Sequence, residues 1–428
     1  MSTDAALVLE RCDVLAAVSS SATGIERVYL SPEHARVNEL AAGWMTQAGM
    51  ATWQDAAGNQ RGRYEGSEPG APALLLGSHL DTVPDAGRYD GILGVLLGIA
   101  VVGRLAAEGT RLPFAIEVIA FGDEEGTRFG TALLGSRAVA GTWLREWWSL
   151  VDAAGTTLRE AFRTFGLDPD RVGDAAHDRA DVVGYLEAHI EQGPYLEEAD
   201  RALAVVSSIA GARRFELTST GVAGHAGGVP FHLRHDALAG ASEVVLAVER
   251  LARDAGCIAT VGRLQAFPGG VNVIPGLVEF SLDLRGEHDD RRDGVWRDVQ
   301  AVAAEVGERR GLTFAVDETH SAPAVVASPR LRGFVRDGIV AAGDADPMVL
   351  FSKAGHDAMA VAELTEWAML FVRCGNGGIS HHPDEIVTLA DVAVALDALE
   401  AAVRAFAASA ASSSASSRPS AGPGRTET

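Results

Sequence analysis

Disulfide and thiolate chemistry have little to work with in this chain: its 428 residues include three cysteines, Cys12, Cys257 and Cys374, far apart and in no CxxC pattern. That argues against a disulfide framework or a thiolate zinc site, and for a reducing, cytoplasmic setting. Basic residues are also scarce. Thirty-six Lys+Arg stand against 58 Asp+Glu, a formal net charge of −22. Nucleic-acid and anionic-membrane binding need clustered cations, so neither partner is expected. Long apolar runs are missing too. The longest, 91–103 (GILGVLLGIAVVG), stops at Arg104; it is too short to span a bilayer and reads as a buried helix. The first turns carry Asp4 and Glu10 and lack a basic start followed by a long apolar core, so no secretory signal is expected there. What the chain does have is ordinary globular stock, 47% hydrophobic and 22% charged. At roughly 150 residues per domain, two or three domains are expected.

The order of apolar runs divides the chain. Residues 73–78 (ALLLGS) and 114–122 (FAIEVIAFG) are continuous apolar runs, as in strands covered on both faces. Helices are expected at 91–107 and 131–140, and further strands at 185–190 and 202–209. This β-α-β alternation predicts an α/β domain with a largely parallel sheet. Residues 211–320 read differently. The strand at 213–220 precedes a helix at 236–255, strands at 257–266 and 277–285, a helix at 290–310 and a strand at 312–318. That is the β-α-β-β-α-β order of a split βαβ, or ferredoxin-like, unit. The α/β pattern then resumes, with helices at 330–342 and 390–406 and strands at 348–351 and 369–374. The expected organisation is a catalytic domain at 1–211 and 323–406, interrupted by an inserted domain at 212–322. From 407 to 428 the composition is Ala, Ser, Pro and Gly, and a disordered tail is expected.

Metal-type side chains gather just after predicted strands. His79 and Asp81 end ALLLGSHLD, Asp90 sits in GRYDG, and Glu124 and Glu125 follow FAIEVIAFGD. His189 and Glu191 lie in AHIEQGP, and His381 in GGISHHPDE. Sites in open α/β sheets collect at the carboxyl ends of strands. A lone HxD or a pair of adjacent glutamates is commonly just surface. The repetition at four strand ends is far harder to obtain by chance. Imidazoles with carboxylates and no thiolate suit Zn, Mn, Co or Fe better than Mg or Ca.

The segments GSHLDTV, GRYDG, AFGDEEGTRF, LLGSRAVAG, AHIEQGP, GHAG, NVIPG, SLDLR, AGHDAMA and GGISHHPDE occur in that order from Gly77 to Glu385. In this the chain resembles the M20 metallohydrolase superfamily, and within it the amidase/hydantoinase/carbamoylase branch. The resemblance implies a metal-dependent exopeptidase-like α/β domain with an inserted ferredoxin-like lid and dimerisation domain. It implies two divalent ions per subunit, Zn, Mn or Co. His79 and His189 would hold one, Glu125 and His381 the other, and Asp90 would bridge them. Asp81 would orient His79, and Glu124 would be the general base. A histidine at position 189, where peptidase-type relatives carry a carboxylate, is similar to the carbamoylase branch. Gln192, Gly355 and His356 would face the substrate. His225, from the inserted domain of a partner subunit, would polarise the scissile carbonyl, and Asn272 and Arg285 would bind a substrate carboxylate. Taken as residues alone, His225 could be an ordinary loop histidine, Asn272 a turn cap, and Arg285 the ion-pair partner of Asp283 or Glu287. His382 is an alternative to His381, which the SHxP spacing favours.

The implied reaction is hydrolysis of a ureido C–N bond in a small carboxylate-bearing ureide. The stretches 29–66 and 369–385 are most similar to allantoate amidohydrolases, with N-carbamoyl-L-amino-acid hydrolases and β-ureidopropionases as the alternatives. Two segments depart from the family's usual wording. HAGGVPF replaces HAGTTPM or HAGTVPM, and SKAGHDA replaces SGAGHDA. A non-catalytic binding protein on the same fold would lose the base or a ligand, and Glu124 and all five ligand positions are present.

Overall fold

The computed structural model of the protein describes residues 3–416. In chain order its strands are β1 (Ala51–Gln54), β2 (Gln60–Tyr64), β3 (Ala73–His79), β4 (Ala115–Phe121), β5 (Val182–Ile190) and β6 (Leu203–Ile209). Then come β7 (Gly211–Thr220), β8 (Gly224–His225), β9 (Ile258–Thr260), β10 (Leu264–Phe267), β11 (Val273–Ile274), β12 (Leu277–Gly286) and β13 (Thr313–Ala322). The last are β14 (Val325–Val326), β15 (Met348–Ser352) and β16 (Trp367–Val372). The α-helices are α1 (Thr3–Ala16), α2 (Pro32–Gln47), α3 (Ile92–Ala107), α4 (Leu134–Val139), α5 (Leu158–Phe165), α6 (Tyr195–Glu198), α7 (Ala237–Asp254), α8 (Asp289–Arg310), α9 (Pro329–Ala341), α10 (Ala358–Val361) and α11 (Leu389–Ser416).

Two compact units result. Of the described residues, one takes 3–207, 327–350 and 355–416; the other takes Ser208–Val326 and Phe351–Ala354. In the first, β4, β3, β5 and β16 are parallel neighbours. Every residue of β3 and β4 is buried, as the continuous apolar runs require. The sheet is not parallel throughout. The β1–β2 hairpin adds to β4 antiparallel, and β6 runs antiparallel to β16. Residues 55–59 are too few for a crossover, so β1 and β2 can only pair antiparallel. The helix α3 is buried along most of its length, as its apolar composition demands.

Gly94 on α3 is where helix and sheet come closest. A Cβ added there would fall 2.0 Å from the Ala188 carbonyl oxygen and 2.9 Å from Ser78 Cβ. Gly94→Ala is therefore expected to destabilise the fold by about 2 kcal/mol or more, since backbone overpacking outweighs the helix propensity gained. A urea midpoint at or above that of the wild type would contradict this.

The second unit is a β-α-β-β-α-β sheet with strand order β10-β12-β7-β13. The stretch expected as one strand at 257–266 is two, β9 and β10, both pairing with β12 and broken around Gly262. The buried face, alternating along β12, carries Val278, Phe280, Leu282 and Leu284 against apolar residues of α7 and α8. At the other end of the chain, the expected disordered stretch begins too early. Helix α11 continues through Ser416, because Ala is the best helix former and Ala407 is buried against the core. Residues 417–428 of the expected tail lie outside the described residues. Among the described residues, no helix is long and apolar enough to cross a membrane.

Candidate metal centre

The parallel strands bring their carboxyl ends to one edge of the first unit's sheet, and the metal-type residues come with them. His79 is the last residue of β3, paired in register with Phe121 at the end of β4. Glu124 and Glu125 follow in the next turn. His189 is the penultimate residue of β5, in register with Phe371 of β16, whose exit leads to His381. Asp90 sits where the chain turns into α3. Its neighbour Gly91 has φ 72°, and a Cβ there would lie 2.4 Å from the His79 ring. A side chain at position 91 would push His79 aside.

Asp90 is the centre of the cluster. Its Oδ1 lies 3.3 Å from His189 Nε2 and 3.9 Å from His79 Nε2. Its Oδ2 lies 3.1 Å from His381 Nε2, which is itself 3.3 Å from Glu125 Oε1. Two triads able to hold a cation thus share one carboxylate: His79, Asp90 and His189, and Asp90, Glu125 and His381. The imidazole tautomers suit that use. His79 Nδ1 is 3.0 Å from the Asp81 carbonyl, and His189 Nδ1 is 2.9 Å from the Ile190 carbonyl. Each Nδ1 is thereby the donor, which leaves Nε2 as a lone pair facing Asp90. His189 Nε2 is buried and has no hydrogen-bond partner among the described residues. A buried polar atom left so is costly unless something else meets it, and a divalent cation fits the donor set.

Charge follows from this crowding. Burial holds the His189 pKa down to about 4. Hydrogen bonds to Asp90 and Glu125 lift His381 to about 10. Glu124 is pushed well above the usual carboxylate range, first by burial and then by Glu125, Asp357 and Asp81, with His79 opposing. Its Oε2 lies 4.0 Å from His79 Nε2. Asp81 works mainly through the loop. Its carboxylate accepts the backbone N–H of Glu124 at 3.0 Å and of Glu125 at 3.1 Å, while its carbonyl, not its carboxylate, makes the shorter contact to His79.

The other expected residues distribute as follows. Gln192 donates from Nε2 to Asp90 Oδ2 at 2.9 Å. The His356 ring packs edge-on against His189 at 4.4 Å. Gly355 approaches the catalytic-base candidate, since a Cβ there would be 3.6 Å from Glu124 Oε1. His381 belongs to the cluster, whereas His382 Nδ1 accepts the Asp384 N–H. Glu191 turns away and accepts the N–H groups of Tyr195 and Leu196 at the start of α6. In the second unit His225 and Asn272 sit together: β8 and β11 pair His225 with Val273, and the Asn272 carbonyl accepts Ala226 N–H at 2.9 Å. Arg285 stands apart from them on β12 and is paired with Asp283, not Glu287.

Two residues at the centre went unassigned in the sequence reading. Ser380 donates to Asp90 Oδ2 at 3.1 Å and to Glu385 Oε2 at 2.9 Å. Glu385 Oε1 accepts the N–H groups of Tyr89 and Asp90. This bolts the loop of His381 to the loop of Asp90 across almost three hundred residues. The only available signal was that both lie within GGISHHPDE.

Known proteins are similar to this one over nearly the whole chain. A family model described as peptidase family M20/M25/M40 matches residues 75–405. An N-carbamoyl-L-amino-acid amidohydrolase of Pseudomonas sp. (strain NS671) is 40% identical over 89% of this chain and 92% of its own. An allantoate deiminase of Arabidopsis thaliana is 38% identical over 90% of this chain and 79% of its own. The crystal structure of an amidase of the hydantoinase/carbamoylase family from Burkholderia multivorans superposes with a TM-score of 0.87 at 31% identity, covering 94% of this chain and 98% of that one. The chain belongs to peptidase family M20/M25/M40, on the side of it occupied by the hydantoinase/carbamoylase amidases.

Proposed function

We propose that the protein is a binuclear metal-dependent amidohydrolase that breaks the ureido C–N bond of a small carboxylate-bearing ureide, allantoate first. The observation that carries this is Asp90, with one oxygen turned to His189 and His79 and the other to His381. A carboxylate so placed can serve two cations at once. His79 and His189 would hold one, Glu125 and His381 the other. Bound there, the ions would supply Lewis acidity toward a carbonyl oxygen and lower the pKa of a water.

The chain's own groups do the rest. Glu124 takes a proton from the water that attacks the ureido carbon and returns it to the departing nitrogen. Ammonia and carbon dioxide leave by way of carbamate. Asp81 holds the turn that aims Glu124, and Gln192, Gly355 and His356 border the reacting group. His225 polarises the carbonyl oxygen, acting on the partner subunit's centre in a homodimer built through the second unit. Arg285 binds the substrate carboxylate, for which a planar guanidinium is suited, and Asn272, seated beside His225, joins it from the partner subunit.

A second substrate, an N-carbamoyl-L-amino acid, is favoured by the 40% identity to the Pseudomonas amidohydrolase. It differs from allantoate in the group beside the carboxylate, not in the bond broken. The test is ammonia release from allantoate, N-carbamoyl-L-amino acids, N-carbamoyl-β-alanine and ureidoglycolate, each with Mn, Zn or Co, alongside sedimentation analysis. Turnover of allantoate by a dimer is the expected result. No ammonia from any ureide with any metal would defeat the proposal.

A further inference from the structure

Arg285 is less free than a carboxylate clamp should be. On β12 it stands two residues from Asp283, so both side chains share a face of the sheet. Asp283 Oδ1 accepts from Arg285 Nε at 2.9 Å, and Oδ2 accepts from Nη2 at 3.1 Å. One whole edge of the guanidinium is therefore taken by a carboxylate of the same chain. Arg285 Nη1 donates to the Lys353 carbonyl at 2.7 Å. Asp283 is held from its other side as well. Arg214 lies directly opposite it on β7, and its Nε donates to Asp283 Oδ2 at 3.1 Å. A guanidinium has five N–H donors. These bonds use one on each nitrogen, leaving one N–H on each terminal nitrogen of a side chain that is 32% exposed.

We infer that Asp283, braced by Arg214, is a positioning residue that locks Arg285 edge-on and so reserves its two terminal N–H groups for the substrate's carboxylate. This rests on the reading of Arg285 as the carboxylate ligand. Arg285 has four rotatable side-chain bonds, and fixing them before binding removes an entropic cost that the substrate would otherwise meet. The opposing possibility is equally concrete. If Asp283 merely occupied the clamp, it would be a competitor, and its removal would tighten binding of an anionic substrate. The two ideas predict opposite signs.

The experiment uses the metal-loaded full chain with the ureide it turns over in that panel, allantoate or an N-carbamoyl-L-amino acid, and the matching primary amide, which lacks the carboxylate. Asp283→Asn should lower the acid-over-amide preference in kcat/KM about tenfold, the scale of one weakened charge-assisted hydrogen bond. The loss should appear in KM for the acid and not in kcat. Arg285→Lys should lower the same preference, and the double variant should be little worse than either single one, because both act through one contact. An Asp283→Asn enzyme with unchanged or increased acid preference, while Arg285→Lys loses it, overturns the inference and leaves the Arg285 reading standing. Equal loss on acid and amide assigns Asp283 to the fold alone and also overturns it. If Arg285→Lys keeps full acid preference, the Arg285 reading falls and this inference with it, and a wild type that turns over no ureide defeats the proposed function on which both rest.

Discussion

Glu124→Gln should reduce kcat by about 10²–10⁴-fold, the range for loss of a positioned general base, while the metal content stays at the wild-type level. The substitution keeps the side chain's volume and removes its proton acceptor. The cluster carboxylates around it are otherwise engaged. Asp81 is occupied by the Glu124 and Glu125 N–H groups, Glu125 faces His381, and Asp90 faces three imidazoles. The raised pKa of Glu124 has the same source as its usefulness: a buried carboxyl beside other carboxylates binds a proton readily. Glu125→Gln should behave differently and lose metal as well as turnover. Kinetics combined with atomic absorption separates the two. A Glu124→Gln enzyme retaining a tenth of wild-type activity would mean that the base is elsewhere.

Asp90→Asn should cost more than any other single replacement, since one residue belongs to both triads able to hold a cation. We expect metal affinity to fall by more than about 100-fold, the upper range for losing a group that merely supports a ligand, and turnover to fall below detection. The amide can keep its oxygen toward Gln192 and Ser380 only by turning its N–H₂ to His79 and His189, where it would occupy the lone pairs that a cation needs. The clearest readout is thermal. A cation at free concentration c that binds only the folded state stabilises it by RT ln(1 + c/Kd), about 2.7 kcal/mol at a hundred times Kd, and raises Tm accordingly. Metal-stripped wild-type enzyme should therefore gain stability with added Mn, Zn or Co, and Asp90→Asn should gain none. A variant with the full metal complement and the wild-type shift in Tm would remove Asp90 from the centre.

The inserted second unit was readable because its chemistry is local. An alternation such as that of β12 has period two, and α7 and α8 carry the 3.6-residue stripe, so the β-α-β-β-α-β order can be read along the chain. The hairpin of β1 and β2 carries little strand signal, because ATWQ is short and QRGRY is largely polar. Four of the five residues of β2 are nevertheless buried, Arg61 among them, paired with Glu117. Burial of a charge depends on a partner 56 residues away, which no window of sequence contains.

Legible along the chain were the residue types at the strand ends and the α/β and split βαβ order. Those follow from side-chain identity and from periodicities of two and 3.6 residues, both local quantities. Which atoms face which came from packing. It turned Glu191 to the start of α6, gave His79 the carbonyl of Asp81, and joined Ser380 and Glu385 to Asp90. It also placed Arg285 on Asp283 rather than Glu287. The physical reason is that a side chain on a strand has its face fixed by the pleat, but its partner is set by register with another strand, and register is decided by packing of the whole sheet.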